Sequence, residues 1–247
     1  MIYDALVIGG GAAGMSCALV LGSALKKPYM EGKKLGIIMH QRASHLESAL
    51  FNNVLGLKPG TTGKEILSSG PIQLAELYPE VEQIKNEKVL ELKFESEGFT
   101  VSTNKNSYRT KIAVIAVGYT NLFSIKGLEE YVIPHKRAKS SKNRIQLKNE
   151  DHLMAPGLYV AGSLAGWRSQ YAIACGSGAQ VATDILSLWN DGEHAQVHDK
   201  VEKCQRHARF HTPAFQSVEK VNSRISARGT SDFIAPDFNP GKAGSIS

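Results

Sequence analysis

The chain has 247 residues, of which 42% are hydrophobic and 21% charged, and its formal net charge is +6. This length and composition predict a globular protein with one large domain, or one domain with a small appendage. No apolar run approaches the roughly 18 residues that a membrane-spanning helix needs, and no signal-peptide pattern is present, so we expect a cytoplasmic protein that does not enter the membrane.

The first predicted strand, 3–9, is a continuous apolar run of the kind found in buried parallel strands. Gly9, Gly11 and Gly14 follow it in the G-x-G-x-x-G spacing, and a helix is predicted over 13–25. In this motif the first glycine permits a tight turn, the second lets backbone approach a diphosphate, and the third lets the helix close onto the strand. A strand, this motif and a helix together predict a dinucleotide site, with the helix amides facing the diphosphate.

A second strand is predicted over 35–39, and it ends at His40-Gln41-Arg42. In dinucleotide-binding folds a carboxylate at this point holds the ribose hydroxyls. Neither His40 nor Gln41 reproduces a carboxylate, so we predict that one of them lies near the ribose or adenine. Arg42 leaves open a phosphate contact instead.

The remaining elements alternate between helix and strand patterns. A helix is predicted over 63–77, interrupted at Pro71, and period-two alternation over 88–95, 98–103 and 108–111 predicts a small antiparallel meander. Buried strands follow at 112–117 and 158–161, and a long helix at 170–189. The composition changes after residue 192: a polar helix is predicted over 197–209 and an extended or disordered tail from residue 228. We therefore expect one domain at 1–192 and a helical or irregular tail at 193–247.

Other polar clusters predict no additional site. The basic segment 135–148 lacks interleaved aromatics and is interpreted as a solvated loop, so no nucleic-acid partner is predicted. The histidines have no recognised zinc spacing, so no metal site is predicted and they are interpreted as surface residues: His45, His152, His194, His198, His207 and His211. The cysteines, Cys17, Cys175 and Cys204, are far apart and are interpreted as free thiols.

Four blocks of the sequence together resemble the flavin-binding half of the thioredoxin reductase family, within the pyridine nucleotide-disulfide oxidoreductases. They are GGGAAG at 9–14, NVLGLKPGTTGKEIL at 53–67, VIAVGYTNLFSIKG at 114–127 and GLYVAGS with the following glutamine and paired glycines at 157–178. The resemblance covers about residues 2–192. It implies an α/β, Rossmann-like three-layer FAD-binding domain with a parallel sheet, a small antiparallel β-meander and a C-terminal extension.

The resemblance also implies which residues contact FAD. Gly9, Gly11, Ala12, Ala13 and Gly14 would surround the diphosphate, and Val89 would offer backbone to the adenine. Asn53 would approach the flavin or ribityl chain, and Gly118 would line the dinucleotide. The ribityl and flavin side would be formed by Gly162, Ser163, Gln170 and Tyr171, with the amides of the last helix stabilising negative charge on the flavin pyrimidine.

Three departures from the family pattern limit the activity. Ser163 stands where the family has a ribityl-binding aspartate, although a hydroxyl still makes one hydrogen bond. No redox-active C-x-x-C is present, so dithiol-disulfide exchange is not expected. Only residues 119–151 separate the third block from the fourth, which is too short for a nicotinamide-binding insert.

The sequence therefore predicts an FAD-dependent oxidoreductase that receives electrons from a separate donor protein or from free NAD(P)H, with unknown catalytic residues. A homodimer is expected. The alternative is a non-catalytic FAD-binding sensor or interaction protein, in which the tail docks a partner. A third, weaker hypothesis is that the departures have abolished dinucleotide binding.

Overall fold

The centre of the protein is a mostly parallel sheet. The computed structural model describes residues 2–40, 44, 46–118, 123–195 and 197–198. Their strands are β1 (Ile2–Ile8), β2 (Leu35–Met39), β3 (Leu50–Phe51), β4 (Thr61–Thr62), β5 (Glu82–Lys85), β6 (Val89–Glu95), β7 (Gly98–Thr103), β8 (Ser107–Ile115), β9 (Val132–Pro134), β10 (Ile145–Leu147), β11 (Leu153–Ala155) and β12 (Leu158–Val160). The parallel order is β12-β8-β1-β2-β5, and β11 pairs antiparallel with β12 at the edge.

β8 joins the meander to the central sheet. Its first half pairs antiparallel with β7, and its second half lies between β1 and β12, parallel to both. The two strands that the sequence predicted at 108–111 and 112–117 are therefore one strand. The change from alternating to continuously apolar residues marks where β8 passes from the half-exposed meander into the buried sheet.

Three helices complete the layers in the described residues: α1 (Ala12–Ser23), α2 (Gly63–Leu77) and α3 (Tyr171–Trp189). α1 and α3 cover one face of the sheet, while the meander lies over the other. Alternate residues of β1 serve the two cores, since Ala5 and Val7 face the helices and Leu6 and Ile8 face the meander side. The two buried clusters pack on opposite faces of the sheet and fix the strand ends that carry the site.

α2 differs from its prediction at Pro71, where an interruption was expected. A capping box between Thr62 and Glu65 fixes its first turn, and the helix continues through Pro71 to Leu77. The strands β3, β4, β5, β9, β10 and β11 had no sequence prediction.

The chain from β8 to β11 has no parallel strand-helix unit within the described residues 123–152. It holds the antiparallel β9–β10 hairpin and short 3-10 turns at Glu129–Tyr131 and Ser140–Lys142. The predicted tail from residue 199 onward lies outside the described residues, as does most of the predicted helix at 197–209. No helix in the described part of the chain is long and apolar enough to cross a bilayer.

Candidate functional site

A cleft of about 550 Å³ opens where β1, β2, β8 and β12 reach their carboxyl ends, and we call it the main cleft. Gly9, His40, Ala116 and Ala161, the residues that come just after these strands, all line it. Parallel α/β sheets bind ligands at this edge, and the volume is ordinary for a ligand pocket.

Residues 9–14, here called the glycine wall, form one side of the main cleft. A Cβ on Gly9 would stand 2.5 Å from the carbonyl oxygen of Ala116, and one on Gly14 would stand 1.8 Å from that of Gly9. These two glycines therefore permit close backbone packing. A Cβ on Gly11, by contrast, would meet no atom of the described residues within 4 Å, although Gly11 lines the cleft. The space beside Gly11 is open for a ligand.

The N-terminus of α1 also faces the main cleft. Its N-cap, Gly11, makes no side-chain cap, and no acidic residue lies in the first turn. The first helical hydrogen bond runs from the Met15 amide to the Gly11 carbonyl, at 2.9 Å. The amides before Met15 therefore have no helical acceptor, and with the helix dipole they suit an anion such as a diphosphate. Ala12 and Ala13 line the cleft here, while Gly14 lies behind it.

The end of β2 gives a mixed outcome for the ribose and adenine side. His40 lines the main cleft, whereas Gln41 and Arg42 lie outside the described residues. Val89 lines the cleft at the start of β6, where it was expected. Gly118 also lines it after β8, and among the described residues no atom lies within 4 Å of an added Cβ.

Glu87 is an acid in this wall that the sequence analysis did not single out. Its carboxylate accepts hydrogen bonds from Thr103 Oγ1 at 2.6 Å, Asn106 Nδ2 at 2.8 Å and the Tyr108 hydroxyl at 3.0 Å. Burial opposes ionisation of Glu87, but these three donors outweigh it and hold its pKa below the ordinary value. These bonds fasten the meander to the wall of the main cleft.

The turn that follows β12, residues 162–166, forms the opposite side of the main cleft, and we call it the Gly162 turn. Gly162 and Ser163 both line the cleft. The Ser163 hydroxyl has no hydrogen-bond partner among the described residues, so it can bond a ligand hydroxyl. The Ser163 carbonyl is held by His135 Nε2 at 3.0 Å, and His135 Nδ1 accepts from the Arg137 amide at 3.1 Å. These contacts require the neutral imidazole with its proton on Nε2.

A second buried network holds the Gly162 turn from behind. Ser177 Oγ, in α3, accepts from the Gly162 amide at 2.7 Å and lies 2.8 Å from His152 Nε2. His152 is only 2% exposed and its ring stacks on Trp167, with centroids 5.8 Å apart. The interpretation of His152 as a surface histidine was therefore wrong. Sequence alone offers no signal for this contact, because residues 152, 162 and 177 meet only in the folded chain.

The N-terminus of α3 completes the cleft at its far end. Gln170 is the N-cap and its Oε1 accepts from the Ala172 amide at 2.8 Å. Tyr171 packs its ring on Phe51, with centroids 5.0 Å apart. Both Gln170 and Tyr171 line the cleft, whereas Trp167 does not. Asn53 is exposed on the loop between β3 and β4 and does not line the cleft, so its flavin contact stays a prediction without structural support.

The described thiols are poorly suited to redox exchange. Cys17 is buried in the core, and burial raises its pKa to about 12. Burial also raises the pKa of Cys175, although a hydrogen bond with Tyr171 opposes the shift. Cys17 and Cys175 form no disulfide. Since the thiolate is the reactive form, neither is an activated nucleophile. Within the described residues, no group of three or more His, Cys, Asp or Glu side chains is placed to hold a metal ion.

The fold and the position of the main cleft define a Rossmann-like α/β domain of the dinucleotide-binding kind. The chain belongs to the pyridine nucleotide-disulphide oxidoreductase family, whose model matches residues 3–180. Members of this family are flavoproteins, and the matched residues include those that line the main cleft.

Two kinds of relative agree with this assignment. A ferredoxin–NADP reductase from Limosilactobacillus fermentum is 36% identical over 118 residues, which are 47% of this chain and 34% of that protein. The chain thus spans about a third of the length of the curated relative that it matches.

Solved structures agree on the fold. Thioredoxin reductase from Gloeobacter violaceus superposes with a TM-score of 0.60 and 15% identity, covering 81% of this chain and 99% of that one. The ferredoxin-flavin thioredoxin reductase from Clostridium acetobutylicum gives 0.57 and 18%, covering 77% and 98%. Thioredoxin reductase from T. acidophilum gives 0.55 and 17%, covering 77% and 99%.

Proposed function

We propose that the chain binds FAD in the main cleft and is an oxidoreductase that receives electrons from a separate donor. The observation that carries the proposal is the pairing of open space at Gly11 with uncapped amides at α1. That pairing offers a diphosphate both room and hydrogen-bond donors, which is what a dinucleotide requires.

The remaining wall residues fit the rest of the cofactor. The ribityl side would meet the free hydroxyl of Ser163, and the flavin would lie towards Gln170 and Tyr171 at the N-terminus of α3. His40 and Val89 would flank the adenosine end. A bound flavin supplies the chemistry of accepting and passing on electrons. The protein's own contribution is to orient the ring, to exclude water with the Phe51–Tyr171 pair and to place helix amides beside the pyrimidine.

An external electron donor follows from two features. The described residues 123–152 hold a hairpin where a nicotinamide-binding unit would stand, and the two described thiols, Cys17 and Cys175, are not activated for disulfide exchange. The names of the relatives support two donor classes, since one is a ferredoxin–NADP reductase and another a ferredoxin-flavin thioredoxin reductase. The donor is therefore a ferredoxin-like protein or free NAD(P)H.

The visible spectrum of the purified chain, followed by anaerobic titration, tests the proposal. We expect flavin absorption that bleaches on addition of NADPH, or of a reduced ferredoxin where NADPH fails. Colourless protein that is unchanged by added FAD would refute cofactor binding. A bound flavin that stays oxidised with every donor would favour the sensor function instead. Size-exclusion chromatography with light scattering tests the expected homodimer.

A further inference from the structure

A second cleft, of about 440 Å³, lies beside the main cleft and is strongly basic. We call it the basic cleft. None of its described lining residues is acidic. Its cationic side chains come from the segment after β9 and from the turn before α3, and they are Arg137, Lys139, Lys142, Arg144 and Arg168. The sequence analysis interpreted part of this segment as a solvated loop. The fold instead gathers it into a concave surface.

The basic cleft is joined to the main cleft by a common wall. Ser169 and Gln170 line both clefts, and Gln170 is the N-cap of α3. His135 also lines the basic cleft, and its Nε2 holds the Ser163 carbonyl in the main cleft. A ligand in the basic cleft would therefore lie against the end of the main cleft assigned above to the flavin ring.

The charges of most of these cations are not neutralised within the described part of the protein, so they are available to a ligand. Among the described residues, Arg137, Lys139, Lys142 and Arg168 form no ion pair with a carboxylate. Arg137 is already positioned, because it donates to the Gly166 carbonyl at 2.5 Å and its guanidinium stacks over Trp167 at 5.2 Å. A positioned guanidinium loses little entropy on binding and matches phosphate oxygens in bidentate geometry.

We infer that the basic cleft binds the phosphate groups of a phosphorylated nicotinamide nucleotide, which makes free NADPH the preferred donor over NADH. The inference rests on the proposed function, because NADPH bound here can act as an electron donor only if a flavin in the main cleft accepts its electrons. Three guanidinium groups and two ammonium groups around one small concavity suit a polyanion of several phosphates. The apolar lining, Ala138 and Ile173, is too small for the apolar centre of a stable protein interface.

Calorimetric titration of the full chain loaded with FAD tests the site, with 2′,5′-ADP and 5′-AMP as ligands. We expect 2′,5′-ADP to bind more tightly than 5′-AMP, because of its additional phosphate, and to weaken with added salt. The double variant Lys142→Gln/Arg168→Gln should lose about ten- to a hundredfold in affinity for 2′,5′-ADP. Both side chains are exposed, so the variant should fold.

Lys148→Gln is the matched control, since Lys148 is an exposed cation of the same segment that does not line the basic cleft. It should bind 2′,5′-ADP as the wild type does. Equal affinity in the wild type and the double variant would overturn the inference, as would equal affinity for the two nucleotides. Failure to bind 2′,5′-ADP, with slower reduction of the double variant by an acidic ferredoxin, would identify a protein-docking surface and also overturn it.

The same titration separates this inference from the proposed function. If the chain takes up no FAD, the proposed function is refuted; a loss of 2′,5′-ADP affinity confined to the double variant would then support phosphate binding in the basic cleft, but not NADPH as an electron donor. Protein that binds FAD but does not bind 2′,5′-ADP would support the flavin function and overturn the inference about the basic cleft. In stopped-flow reduction, the double variant should need a higher concentration of NADPH for half-maximal rate, with a smaller change for NADH.

Discussion

The two sides of the main cleft are built in different ways. The glycine wall is made of backbone within six consecutive residues, where Gly9 and Gly14 allow contacts that any side chain would block. The Gly162 turn is held by side chains that are far apart in the chain, chiefly Ser177 and His152. Local sequence therefore determines the first side almost completely, whereas the second depends on the whole fold.

We expect the largest loss of stability when a single methyl group is added to the glycine wall at Gly14. Gly14→Ala places Cβ 1.8 Å from the Gly9 carbonyl oxygen, which is backbone and cannot move aside. We expect a loss of at least about 4 kcal/mol in the free energy of unfolding, measured by denaturant titration. Gly176→Ala is the control, since Gly176 is an exposed residue of α3 with no atom within 4 Å of an added Cβ. It should be neutral or stabilising by up to about 1 kcal/mol, and equal losses in both variants would contradict the steric explanation.

The next prediction tests the side-chain network behind the Gly162 turn. Ser177→Ala leaves the Gly162 amide and His152 Nε2 buried without their shared partner. Each of the two orphaned groups costs about 1–3 kcal/mol, so we expect the free energy of unfolding to fall by about 2–6 kcal/mol. Ser68→Ala removes an exposed helical serine and should change stability by less than about 0.5 kcal/mol. In a double-mutant cycle, adding His152→Ala to Ser177→Ala should cost less than it costs in the wild type. Additive losses would show that the two residues act independently.

The contrast between the glycine wall and the Gly162 turn also shows which features of the site could be predicted from the sequence. The glycine motif, β2 and the long last helix were all predictable because their signals are local: spacing, apolar runs and turn residues. The burial of His152 was not predictable, since its partner Ser177 lies 25 residues away and only the folded chain brings the two together. The basic cleft was missed for the same reason, because Arg168 joins the cations of the segment after β9 only when the Gly162 turn is in place.

A third prediction separates ligand binding from folding within the glycine wall. Gly11→Ala adds a methyl group to open space, and Gly11 has an ordinary φ of −80°, so stability should change by less than about 1 kcal/mol. The methyl group would occupy the place of the diphosphate, and we expect FAD affinity to fall at least about tenfold, or about 1.4 kcal/mol. Fluorescence titration of the apoprotein with FAD measures this. Retained affinity together with retained stability would show that the cofactor lies elsewhere.

The smallest effect concerns the acid that joins the meander to the main cleft. Glu87→Gln keeps the shape of the side chain but loses the charge that Thr103, Asn106 and Tyr108 stabilise, and should cost about 1 kcal/mol at pH 7. Because the folded pKa of Glu87 is depressed, its contribution is complete above the unfolded value near 4.3 and is lost as the pH falls through the folded pKa. The stability difference between wild type and variant should therefore shrink as the pH falls below the unfolded pKa, about 4.3. Glu91→Gln, an exposed change on the adjacent strand β6, should show no comparable pH dependence. A difference that stays constant as the pH falls would mean that Glu87 acts through packing and not through its charge.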